Sequence, residues 1–221
     1  MPTIITELDE VTIPESVTSL EAFRRWTDQD DFPQTGRIWW LRGRVWADMS
    51  KEQIFSHLAV KTECTVVLGG LVKSQELGLY LGDGLLLSNF AADISGNPDG
   101  TFISSQTLRS DRVRLIEGAR GGYTEIQGSP DMVLEIVSDS SVHKDLDVLR
   151  KAYWEAGVGE YWLIDARKDP LRFEIFRYTS KSYAATRKQQ GWLRSVVFGK
   201  SFRLTQKRSA LGHPAYTLQV R

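Results

Sequence analysis

Cysteine is nearly absent: Cys64 stands alone in 221 residues. An intramolecular disulfide and a multi-cysteine zinc site are thereby excluded. Histidine is almost as scarce. His57, His143 and His213 are scattered without metal-ligand spacing, so the histidines suggest no zinc centre. No apolar run reaches the ~18 residues of a membrane span. The first residues, MPTIITELDE, lack the basic and apolar regions of a signal peptide, and the expected location is cytoplasmic. There is no internal repeat and no low-complexity linker. A net charge is also missing, with 28 Lys and Arg against 28 Asp and Glu. That balance argues against a protein that coats nucleic acid without specificity.

What is present is ordinary in bulk and uneven in detail. A hydrophobic share of 41% and a charged share of 25% fit a globular chain long enough for one domain with a real core. Residues 1–31 carry eight acids (Glu7, Asp9, Glu10, Glu15, Glu21, Asp28, Asp30, Asp31) against Arg24 and Arg25. Residues 167–208 carry twelve lysines and arginines against Asp169 and Glu174, interleaved with Phe173, Phe176, Tyr178, Tyr183, Trp192, Phe198 and Phe202. Two readings fit the basic stretch: the solvated face of a twisted antiparallel sheet, or a surface that meets a phosphate backbone.

Patterning divides the chain into an N-terminal arm, 1–36, and one α/β domain, 37–221. Ser19 can cap a short helix over Leu20–Trp26. RIWWLRGRVWADM (37–49) reads as two strands turning near Arg42-Gly43. Its Trp39, Trp40 and Trp46 suit either core packing or an interface. Residues 51–73 have helical spacing, with Ile54, Leu58, Thr65, Leu68 and Val72 on one stripe. Ser50 is a good N-cap, with Gln53 in the capping-box position. Short strands follow at Leu79–Leu81 and Leu85–Ser88, then a loop over Phe90–Asn97 and a strand over Gly100–Ser104. Another strand is expected at Val113–Ile116 before a glycine-rich turn, 118–122. After the strand Met132–Ser138, Asp145 can cap a helix over Leu146–Ala156 that Gly157 ends. Tyr161–Asp165, Phe173–Tyr178, Ser182–Thr186, Ser195–Phe198 and Ser201–Leu204 complete an antiparallel region.

The chemistry gathers in PDMVLEIVSDSSVHKDLDVLRKAYWEAGVGEYWLID (130–165). Glu135 sits in a strand with Met132, Val133, Leu134, Ile136 and Val137, apolar on both faces and therefore buried. An ionised carboxylate there is expensive unless it is paired or holds a metal. Asp99, in N-P-D-G before another strand, is a second carboxylate, although that tetrapeptide also makes a good turn. Two carboxylates converging from adjacent strands suit Mg²⁺ or Mn²⁺. Asp131 shares the strand parity of Glu135; it is an extra ligand or a capping residue after Pro130. His143 is the one histidine near this segment in sequence, a proton shuttle or an exposed loop residue.

Read together, Pro98-Asp99 before a strand, P-D-M-V-L-E-I-V-S, K-D-L-x-x-x-R-K-x-Y and E-A-G-V-x-E-Y-W-L-I-D resemble the Uma2 family of the PD-(D/E)XK, restriction-endonuclease-like superfamily. The resemblance covers roughly residues 37–205. It implies a mixed β-sheet flanked by helices, with additional antiparallel strands at both ends, a divalent-metal site and phosphodiester hydrolysis. Carried over by position, Asp99 is the motif aspartate and Glu135 the motif acid. Glu63 is the candidate for an acid from the first helix, or else a solvated helix glutamate.

The lysine departs from the pattern. The superfamily places it two residues after the acid, where this chain has Val137. Many Uma2-like sequences place it in the following helix, where this chain has Leu149. At about 100° per residue, Leu146, Leu149 and Tyr153 form an apolar stripe, Lys151 points away and Arg150 flanks the stripe. Lys144, just before the helix, is the candidate for a relocated lysine, or else a surface residue.

Three functions compete. The first is a metal-dependent endonuclease on DNA, with Asp99 and Glu135 on Mg²⁺ or Mn²⁺, Lys144 assisting and Glu63 completing the set. The second is a catalytically degenerate nuclease fold acting as a nucleic-acid-binding or protein-interaction module, which Val137, Leu149 and the neutral charge favour. The third is a phosphohydrolase on a small nucleotide, which needs a closed pocket. A homodimer is expected, because C2 pairs are the commonest oligomers and suit duplex cutting.

Overall fold

Period-two alternation decides the centre of the molecule. The computed structural model describes residues 3–5, 10–33, 35–119 and 121–221; Glu7 and Asp9 of the acidic N-terminus lie outside them. Every residue of the strand Met132–Ile136 is buried. Met132, Leu134 and Ile136 belong to one hydrophobic cluster, Val133 and Val137 to another. Glu135 therefore points into the second by parity. This strand pairs in parallel with Glu160–Asp165 and antiparallel with Gly100–Ser104. Parallel neighbours need a crossover, and the helical segment 144–155 supplies it. Gly78–Leu81 flanks on one side, Arg172–Arg177 and Ala184–Ala185 on the other, giving a six-stranded mixed sheet.

A second six-stranded sheet runs, in spatial order, Val45–Asp48, Arg37–Leu41, Ile94–Gly96, Leu86–Asn89, Tyr123–Gly128 and Val113–Glu117. Trp39, Leu87 and Ile94 from this sheet pack with Val133, Tyr153 and Tyr161. The long helical segment Ile54–Ser74 covers the opposite face through Val60, Cys64, Leu68 and Val72. Phe202, Leu204 and Leu218 of a C-terminal antiparallel sheet join them. Helix Leu20–Thr27, capped by Ser19, closes a third cluster in which Phe23 and Trp26 meet Ile38 and Trp40. Trp39 and Trp40 are thus core residues. The architecture is the expected one: mixed sheets with few helices and antiparallel strands toward both ends.

Several elements differ from their sequence patterns. Ile94–Gly96, expected as loop, is a strand because it pairs on both sides, with Arg37–Leu41 and Leu86–Asn89. Tyr123–Gly128 and Pro214–Val220 are further strands that short turns had obscured. Only Leu193–Arg194 is extended where Ser195–Phe198 was expected. The buried carboxylate of Glu160 draws the Ser195 hydroxyl and the backbone N–H groups of Val196 and Val197 out of any ladder.

The long helical segment differs most. Ser50 does not cap it; its N–H and hydroxyl both bond Asp48. The segment opens instead as a π-helical turn, Ile54–Ala59, and continues as an α-helix, Val60–Ser74. A π turn holds an extra residue, and it rotates everything before it relative to an α-helical stripe. Ile54 and Leu58, predicted on the buried stripe, are 65% and 40% exposed, while His57 and Lys61 are buried. By length and composition the segment would also pass for a membrane span. Its Val60, Cys64, Leu68 and Val72 are instead packed on the sheet.

Candidate active site

The ladder between Gly100–Ser104 and Met132–Ile136 ends at the pair Leu134–Gly100. One residue earlier Asp99 leaves the sheet, and its Oδ2 accepts the Ile136 N–H at 2.8 Å. A side-chain carboxylate thus completes the strand where the backbone partner has gone. The N-P-D-G turn that made Asp99 ambiguous in sequence places it beside the end of the Glu135 strand.

Around Asp99 the charges are positive. Arg37 Nη2 lies 2.9 Å from Oδ1, Lys61 Nζ 3.5 Å from Oδ1, and His57 Nε2 3.4 Å from Oδ2. Arg37 also bonds Glu52, and Lys61 bridges Glu52 at 2.9 Å and Asp83 at 2.6 Å. Burial pushes the Asp99 carboxyl up, but the His57 hydrogen bond and the charges of Arg37, His57 and Lys61 outweigh it. They hold it well below the ordinary carboxylate range. Burial lowers Lys61 and Arg37 in turn, and the acids around them, Asp99 foremost, more than restore both.

Around Glu135 the balance reverses. Its Oε1 accepts the Tyr153 hydroxyl at 2.8 Å. Burial, with Asp145 and Asp99 as like charges, raises the Glu135 carboxyl well above its usual range, although Lys144 and Tyr153 pull the other way. Lys144 is 7% exposed, with Nζ 2.7 Å from Asp145 Oδ1 and 4.6 Å from the centre of the Trp39 ring. Burial lowers it, and Glu135 and Asp145 together raise it above an ordinary lysine. Asp145 is no helix cap. It lies in a second π turn, Lys144–Val148, bonded by the Ser141 hydroxyl, and burial raises its carboxyl.

The other candidates fall elsewhere. Glu63 does not join the cluster: its carboxylate accepts the Leu218 N–H at 2.8 Å and ties the long helix to the C-terminal sheet. Its phase in the α-helical part turns it away from the side that carries Lys61. Asp131 caps, accepting the Ser104 N–H at 2.6 Å and the Thr107 hydroxyl at 2.9 Å. His143 is exposed and paired with Asp147. His213 stacks on Phe55. Val137 and Leu149 are wholly buried in the apolar cluster. Sequence reasoning missed His57, Lys61, Arg37, Glu52 and Asp145. The signal for His57 and Lys61 was their i, i+4 spacing, hidden by a stripe drawn through the wrong face.

A polar cleft of about 430 Å³ reaches this cluster, with Arg37, Glu52 and Asp83 in its wall and Asp48, Ser50 and Ser138 among its lining. Glu52, His57 and Asp99 each offer a ligand atom within 4.8 Å of the others. Glu52 Oε2 and His57 Nδ1 are buried without a hydrogen-bond partner, 3.3 Å apart. Such donors fit a divalent ion, and the imidazole widens the choice beyond magnesium. Arg37 and Lys61 already neutralise much of the charge there. Glu135 has a surplus of acids beside it, the condition a cation relieves.

The chain matches the Uma2 family, described as "Putative restriction endonuclease", over residues 20–206. No curated protein matches it. Among solved structures it is similar to a putative nuclease belonging to DUF820 from Anabaena variabilis. The two share 18% identity and a TM-score of 0.60 over 82% of this chain and 90% of that one. At that identity the likeness concerns the fold.

Proposed function

The chain belongs to the Uma2 family, and from that premise we propose that it is a divalent-metal-dependent endonuclease hydrolysing phosphodiester bonds in DNA. The observation that carries this reading is the clustering of Asp99, Glu135 and Lys144, buried and from three separate segments, behind a cleft whose wall includes Arg37, the ion-pair partner of Asp99. Asp99 and Glu135 would hold Mg²⁺ or Mn²⁺, with Glu52 and His57 as further donors. Bound there, the ion supplies charge stabilisation on the phosphate and a more acidic water.

The chain's own residues divide the remaining work. Asp99 stays ionised because Arg37 and Lys61 face it and His57 hydrogen-bonds it. Glu135 takes up or releases a proton according to the charge beside it, and Tyr153 fixes the direction of its Oε1. Lys144 keeps its proton, so it acts as a fixed positive charge toward the phosphate rather than as a base. Trp39 and Asp145 hold its ammonium in place. The basic stretch 167–208 would follow the DNA backbone. A cytoplasmic homodimer, with one cluster for each strand of a duplex, completes the proposal.

A second reading, a nuclease fold kept only for binding, is favoured by one observation: Val137 and Leu149 fill core space where a lysine would be expected. Cleavage of supercoiled and linear DNA with Mg²⁺ or Mn²⁺ separates the two. Wild type should cut. Glu135→Ala and Lys144→Ala should lose cutting while circular dichroism shows the fold intact. A wild type that cuts nothing, and binds neither ion in a Glu135-dependent way, refutes the endonuclease reading.

A further inference from the structure

The outer side of the crossover helix carries a pocket that the cluster does not use. It measures about 400 Å³ and is lined by Arg150, Lys151, Lys181, Trp154, Tyr183 and Asp147, among others. Neither Lys151 nor Lys181 has a carboxylate partner among the described residues, and the Arg150 guanidinium lies 4.5 Å over the Phe176 ring without one. Asp147, the one acid in the lining, is paired with His143 at 3.3 Å. Among the described residues, three cations without a carboxylate partner thus surround one carboxylate that already contacts an imidazole.

The aromatic wall is the reverse: its polar atoms are satisfied internally. Trp154 Nε1 donates to the Thr179 carbonyl at 2.8 Å, and the indole is braced by Tyr178 with ring centres 6.3 Å apart. The Tyr183 hydroxyl donates to the Val158 carbonyl at 2.8 Å. The loop bearing Lys181 is fixed by the Thr179 hydroxyl, which donates to the Ser182 carbonyl at 2.5 Å and accepts the Ser182 N–H at 3.3 Å. The pocket therefore offers an internally braced ring surface beside exposed positive charge that no carboxylate neutralises.

A ligand that uses both is an anion attached to a flat ring. Guanidinium and ammonium groups recognise phosphate, and bases of any sequence stack on aromatic side chains. We propose that this pocket binds one nucleotide unit, its phosphate held by Arg150, Lys151 and Lys181 and its base against Trp154. Lys151 follows Lys144 by seven residues in the same helical segment. The unit could thus belong to a strand or to a free nucleotide, and the proposal does not require the cluster to be catalytic.

Calorimetry on the full chain in EDTA, where metal-dependent cutting cannot intervene, tests it. The probes are thymidine 5′-monophosphate, thymidine, inorganic phosphate and a ten-residue dT oligonucleotide. The monophosphate should bind more tightly than thymidine or phosphate alone. The double variant Lys151→Glu/Lys181→Glu should weaken it at least tenfold. The control Lys73→Glu/Arg109→Glu, exposed cations away from the pocket, should change it less than threefold. A tighter oligonucleotide assigns the pocket to a strand; equal affinity assigns it to free nucleotides. No binding by wild type, equal losses in both double variants, or phosphate binding as tightly as the monophosphate overturns the proposal. Because cutting is not read, failure of the endonuclease reading leaves this result standing, and the reverse.

Discussion

Asp99 immediately precedes one strand and Glu135 lies in its neighbour, and their surroundings pull them in opposite directions. Arg37, His57 and Lys61 hold Asp99 down as a permanent anion. Burial, Asp145 and Asp99 itself push Glu135 up, and Lys144 only partly opposes them. Burial alone therefore does not decide what a carboxylate does. The sign of the nearest charges does, and one cluster can hold a fixed charge beside a group that exchanges its proton.

The sharpest way to break this contrast is to remove its exchangeable half. Glu135→Ala should lower the DNA-cutting rate about 10³-fold, the loss of about 4 kcal/mol of transition-state stabilisation. A gel-based rate within tenfold of wild type would show the site lies elsewhere. Lys144→Met comes next. It takes away the cation that pairs with Asp145 and faces Glu135, and breaking a buried pair in this way costs about 3 kcal/mol. Urea unfolding near neutral pH should show that loss.

Titration sharpens the contrast further. Glu135 has its folded value raised, so the folded chain binds that proton more tightly than the unfolded chain. Its contribution to stability is full below about pH 4.3, the ordinary glutamate value. It falls by up to ~1.4 kcal/mol per pH unit as pH climbs toward the raised value. Glu135→Gln should flatten that fall. Asp99 has its folded value lowered, so its contribution is present above about pH 3.9. It is lost as pH drops toward the depressed value, and Asp99→Asn should flatten that acid limb. Unfolding measured from about pH 1.5 to 8 reads both; one variant flattening both limbs would mean the two carboxyls titrate as one. The smallest effect belongs to Glu63→Gln, which keeps an acceptor for Leu218 N–H. It should cost under about 1 kcal/mol and leave the cutting rate unchanged.

The strand carrying Glu135 was legible because an apolar run with one acid in it has few explanations. The capped helix Leu20–Thr27 was legible from local cap chemistry. Lys144 could be nominated by position, and the structure places it beside Glu135 and Asp145. His57 and Lys61 were hidden, because α-helical phase was carried from Val60–Ser74 back through a turn that is π-helical. Arg37 and Glu52 were invisible for another reason: their meeting depends on the second sheet folding against the first, a long-range event with no local period. Ser195–Phe198 misled because the carboxylate that claims its N–H groups is 35 residues upstream of Ser195.

Both π turns, Ile54–Ala59 and Lys144–Val148, sit where a helix delivers a nitrogen-bearing side chain to the cluster, His57 from the first and Lys144 from the second. Each accommodates one residue more than an α turn over a similar span. A single-codon insertion or deletion at such a place can be absorbed as a local change of winding, leaving the downstream packed face in register. Lysine adds tolerance of its own, since its long stem can bring the same ammonium to the same spot from more than one backbone origin. In chains built this way the count of residues between two functional groups is a poor ruler. Kinship at the site should be judged by where the charged atom arrives, not by the column in which its letter stands.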